Sequence, residues 1–71
     1  MYYEKRINWL FNNIVETATT YLITAIDNDC HRTSTGKFWL KLYVQTVKYV
    51  YETFPERRAE FALRVMKGVW K

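Results

Sequence analysis

From Lys37 to Phe54 the chain reads KFWLKLYVQTVKYVYETF. Its strongly polar positions are Lys37, Lys41, Gln45, Lys48 and Glu52, spaced four, four, three and four. At ~100° per residue they cover about 80° of a helical circle. Apart from Thr46 and Thr53, the rest are Phe, Trp, Leu, Tyr or Val. Such residues alone would suit a strand. A strand alternates with period two, however, and these polar positions do not. The spacing predicts a helix over 36–53 with one narrow wet face. Such a helix needs neighbours on nearly every other side.

A first helix is predicted over about 3–27. Ile7, Leu10, Phe11, Ile14, Ala18, Tyr21, Leu22 and Ala25 recur at the three-and-four spacing of one helical face. Ala18 and Ala25 would let another helix approach closely. Thr17, Thr19 and Thr20 weaken intrinsic helicity there, so packing must hold that segment. Asp27–Gly36, DNDCHRTSTG, reads as the one substantial loop, with Ser34 or Thr35 as the expected N-cap of the second helix.

A third helix is predicted over 55–70. Thr53-Phe54-Pro55-Glu56 has the form of a capping box, and proline suits a first turn. Phe61, Ala62, Val65, Met66 and Val69 form its expected buried stripe. Gly68 is expected to loosen its last turn, yet Val69 and Trp70 follow it, so the end should still dock. Arg58 falls near that stripe, where it would snorkel, pair with Glu16 or Glu52, or belong to an interface. The expected fold is therefore all-α. It is a single domain, a small three-helix assembly with helix 2 packed between helices 1 and 3.

Length changes the picture. A 71-residue domain buries only about 60% of its unfolded surface, and one cysteine gives no internal disulfide. Aromatics make up 18% of the chain, more than a compact three-helix core readily hides. The surplus points to a self-interface or a partner surface, and a homo-oligomer is expected. No secretory leader is expected, and no apolar run approaches the ~18 residues of a membrane span. The free cysteine fits a cytoplasmic setting.

The net charge of +4 is concentrated at one end. Residues 57–71 hold five cations and one acid, while the preceding residues carry six of each. Arg57, Arg64, Lys67 and Lys71, with Arg32 from the loop, could track a phosphate backbone. The bland counterpart is a solvated charged face interrupted by Glu60. A dimeric nucleic-acid-binding regulator is thus the alternative reading.

Neither catalysis, a cofactor nor a metal is expected. Cys30 and His31 are sequence neighbours on a loop, poorly placed to face each other. Asp27-Asn28-Asp29 opens like a calcium loop, but Arg32 and Phe38 occupy the positions that need Gly and Glu. Thr35-Gly36-Lys37 resembles the end of a phosphate loop without its earlier Gly or its magnesium-binding hydroxyl.

The rings are the strongest lead, because Trp and Tyr dominate interface hot spots. Most should fill the core. Trp9, Tyr49, Tyr51 and Trp70 are the ones expected to face an unidentified protein partner. The edges of the wet stripe on helix 2, Tyr51 and Val44 on one side and Phe38 and Tyr49 on the other, mark where it should dock. The leading expectation is a small non-enzymatic protein-binding module that occludes its partner. In size and character it is similar to compact accessory proteins of phages and mobile elements, including inhibitors of host systems.

Overall fold

Five positions of the first helix repeat at four, three, four and three: Phe11, Val15, Ala18, Leu22 and Ala25. That is the spacing of a helix-packing seam. The computed structural model describes residues 2–70, and in it this seam faces the core. Phe11, Val15, Ala18 and Ala25 are buried and Leu22 is partly so. The helix, α1, spans Tyr2–Asp27. Leu10, expected on the buried face, is instead exposed, and Val15 takes a core place. The reason is that α1 has a neighbour on each flank, which centres the buried face between Ile14 and Val15.

Helix α2 spans Ser34–Thr53 and a 12-residue α3 spans Arg58–Val69, with a single 3₁₀ turn at Pro55–Arg57 between them. The all-α three-helix assembly is as expected, with no strand among the described residues. Within it, the long α1 packs extensively against α2 and also against α3, while α2 meets α3 mainly around the corner. The helix spanning both neighbours is thus α1, where the sequence pattern placed α2. Length decides this. At 1.5 Å per residue α1 runs about 39 Å and α3 only about 18 Å, and the molecule measures 45 × 24 × 18 Å. Contacts from Asn8 to Arg57, Asn12 to Arg64 and Thr19 to Gly68 advance together, so α3 runs parallel to α1.

The core is small. Phe11, Val15 and Ala18 of α1 meet Val50 and Phe54, then Phe61 and Val65 of α3. Ile7, Ile14, Leu22, Tyr43, Val47 and Val69 pack around them. Phe11 is the centre, with the Phe54 ring 5.4 Å away edge-on and the Phe61 ring at 6.4 Å. On α3 the expected buried stripe is narrower than its pattern. Phe61 and Val65 are buried, but Ala62 and Met66 are exposed. Only a helix close alongside α3 could have covered them, and α2 diverges from it.

The ends of α2 differ from expectation in instructive ways. Its N-cap is Thr33, whose hydroxyl accepts from the Gly36 amide at 3.0 Å and donates to the Asn28 carbonyl. One hydroxyl therefore ties the loop to the helix start, which neither Ser34 nor Thr35 could do from inside the helix. Asp29 supplies the left-handed turn (φ 55°) that ends α1, a conformation Asp tolerates better than most residues. At the other end the capping box does not form. Thr53 is still helical, and Phe54 starts the 3₁₀ turn without a side-chain cap. Arg58 takes over. Its guanidinium donates to the Tyr51 carbonyl through Nε (3.2 Å) and Nη2 (2.9 Å), satisfying the last turn of α2.

Both glycines mark close approaches. A Cβ on Gly36 would lie 2.6–2.8 Å from backbone atoms of Cys30 and Asn28. A Cβ on Gly68 would lie 2.6 Å from Cγ2 of Thr19, so Gly68 lets α3 approach α1 closely. Gly36→Ala should therefore lower unfolding stability by about 1–3 kcal/mol, despite alanine's better helix propensity. Urea denaturation reads this, and an unchanged midpoint would contradict the close approach.

Candidate docking surface

With α3 on one flank of α1, α2 packs toward the other and leaves a groove beside it. Asn8, Asn12 and Thr19 face α3, whereas Ile14, Thr17 and Tyr21 lie on the far side. There they form a groove of about 340 Å³ with Leu42, Gln45, Thr46 and Tyr49 of α2. The Trp39 ring packs on Tyr21 at 5.8 Å, and Phe38 meets Trp39 edge-on at 5.7 Å, extending an aromatic wall toward the α1–α2 loop. Phe38 (57%) and Tyr49 (49%) keep about half their surface in solvent. The Thr46 hydroxyl is spent on the Leu42 carbonyl, so it adds little polarity to the groove. Lys37, Lys41, Gln45, Lys48 and Glu52 are all exposed along the outer edge, as the stripe predicted.

The four rings expected to face a partner do not converge. Tyr49 lines the groove. Trp9 on α1 and Trp70 at the end of α3 are both mostly exposed. Tyr51 is on the other edge of α2, where Arg58 stacks on its ring at 5.2 Å. Phe38, Trp39 and Tyr21, rather than Trp9, complete the surface around Tyr49. The spacing of Phe38, Leu42, Gln45 and Tyr49 at four, three and four was the available signal.

The cations of the alternative reading are also dispersed. Arg57 Nη2 donates to Asn8 Oδ1 (2.7 Å), and Arg64 Nη1 donates to Asn12 Oδ1 (2.5 Å). Both guanidiniums lie over the Phe11 ring, at 5.0 and 5.9 Å from its centroid. Arg64 also lies 3.9 Å from Glu60. Arg32 sits on the distant loop, 3.9 Å from Asp29. Lys67 is exposed, and Lys71 lies outside the described residues. Two of the five thus clamp α3 onto α1 through charge-assisted hydrogen bonds and cation–π contacts.

Cys30 is turned inward and His31 outward, so the pair does not face each other. Among the described residues no three His, Cys, Asp or Glu side chains gather into a metal-binding group. No helix among them is long and apolar enough to cross a membrane. Burial, and secondarily the nearby Tyr51, push the Tyr43 phenol above its ordinary range.

No protein-family model, curated protein or solved structure matches this chain.

Two predictions follow from these placements. Arg57→Ala and Arg64→Ala should each reduce unfolding stability by about 1 kcal/mol, measurable from urea midpoints. Unaltered stability in both would mean the guanidiniums do not brace the fold. For Tyr43, the folded chain holds the phenol proton to higher pH than the unfolded chain does. Stability should therefore be intact below the unfolded value of about 10 and fall as pH rises past it. Tyr43→Phe should flatten that alkaline loss in thermal melts.

Proposed function

We propose that this chain is a small non-enzymatic protein-binding module that receives a partner's amphipathic helix in the α1–α2 groove and thereby occludes it. The observation carrying this reading is the groove itself. It is shallow, open to solvent, and lined by Tyr21 and Tyr49 from two packed helices, with Trp39 stacked on Tyr21 and Phe38 on Trp39 beyond it. Helix-in-groove docking uses anchors at three- and four-residue spacing against such walls, and aromatic pockets carry most of the energy of such interfaces. The row of Lys37, Lys41 and Lys48 along the α2 edge favours a partner helix with acidic flanks. An inhibitor of the compact accessory type, covering a functional helix of a larger protein, fits both size and surface.

The nucleic-acid reading has less support, because Arg57 and Arg64 are engaged with α1. Phe38→Ala and Tyr49→Ala should leave helical circular dichroism and melting temperature nearly unchanged. Each should weaken a partner captured from the native host at least about tenfold, or about 1.4 kcal/mol. The purified partner should be titrated by calorimetry. Retained affinity in both variants would remove the groove from the interface. Affinity for DNA or RNA that falls steeply with salt and with Arg32 or Lys67 charge removal would favour the alternative.

A further inference from the structure

Helix α3 is apolar on two sides. Phe61 and Val65 face the core, while Ala59, Leu63, Met66 and Trp70 face solvent at four-, three- and four-residue spacing. On a helix these four fall within about 60°. Leu63 (62%), Met66 (53%) and Trp70 (72%) are each more than half exposed. This is the spacing of a helix-pairing seam, and no element among the described residues covers it.

We propose that the seam pairs with the same seam of a second copy, α3 against α3, antiparallel about a two-fold axis between Leu63 and Met66. Such symmetry sets each residue against a fixed counterpart. Leu63 then meets Met66 of the other copy. Ala59, the smallest member, meets Trp70, the largest, so bulk is matched with space twice. Glu60 and Lys67, both exposed, lie on one flank of the seam. The two-fold brings Glu60 to within about 3 Å along the axis of the other copy's Lys67, so opposite charges meet twice and a parallel arrangement loses this pairing. Glu60 also lies 3.9 Å from Arg64 of its own chain, which orients it without saturating its two oxygens.

Complete burial of the seam would reach the lower edge of specific interfaces. Three large side chains at these exposures, with the two exposed alanines Ala59 and Ala62, offer roughly 500 Å² per copy. Doubled, that reaches the ~1,000 Å² at which specific interfaces begin. The pairing uses the side of the molecule away from the α1–α2 groove. It leaves two grooves outward, so it goes beyond the proposed function without depending on it.

Sedimentation equilibrium between about 10 µM and 1 mM tests the pairing. The wild-type chain should sediment as a dimer across the upper part of this range. Leu63→Glu should be monomeric with unchanged helical circular dichroism, since the position is exposed. Glu60→Lys should weaken association about tenfold, and adding Lys67→Glu should restore it. A wild-type monomer at 1 mM, or a Leu63→Glu chain that still dimerises, would overturn the proposal. Failure of the double charge reversal to restore association would overturn the antiparallel register. Partner capture through Tyr49 should persist in Leu63→Glu, which separates the two surfaces.

Discussion

The fold depends on one ring. Phe11 of α1 is touched by Phe54 at the corner after α2, by Phe61 of α3, and by the guanidiniums of Arg57 and Arg64. α1, the corner after α2, the 3₁₀ turn and α3 therefore meet at a single side chain. In a core of so few buried residues, a large aromatic does what several aliphatic side chains share in bigger domains. The two arginines cover the ring's remaining surface and hydrogen-bond to Asn8 and Asn12, one turn apart on α1. Position and orientation of α3 follow from that clamp.

The clamp also changes the meaning of the basic C-terminal segment. Its charge excess invites an electrostatic reading, yet its two best-placed arginines serve the interior of the fold. A cation lying over a buried ring and bonded to a neighbouring helix is less available to a phosphate than one reaching into solvent. Arg58 does a related job for α2, satisfying a carbonyl of its last turn. Three arginines of this segment thus replace caps and packing that a longer chain would build from apolar residues.

What remains outside the core is unusual for so small a domain. Among the described residues, eleven large apolar side chains are exposed against nine buried apolar ones. Five of the eleven gather in two places: Phe38 and Tyr49 beside the groove between α1 and α2, and Leu63, Met66 and Trp70 along the outer seam of α3. The splay between α2 and α3 leaves the outer seam of α3 uncovered, because α3 packs on α1 and meets α2 mainly around the corner. A chain near the lower limit of independent folding gains most from covering such surfaces with other molecules.

The sequence by itself determined the helices, because a wet stripe at three- and four-residue spacing is incompatible with a strand. It also marked Phe38 and Tyr49 as the edge of an apolar flank, since helical angle alone places them. Three features needed the tertiary structure. Val15 replaced Leu10 in the core because α1 has neighbours on two sides, and one helix's periodicity does not report how many. Thr33 became the cap because its hydroxyl also reaches Asn28, a contact the loop creates. Ala62 and Met66 stayed exposed, and Arg57 and Arg64 turned inward, because the angle between α2 and α3 decides what covers each face. Local spacing records which residues share a face. Only packing between helices decides which face is buried, and that is set by relative lengths and by the single ring they share.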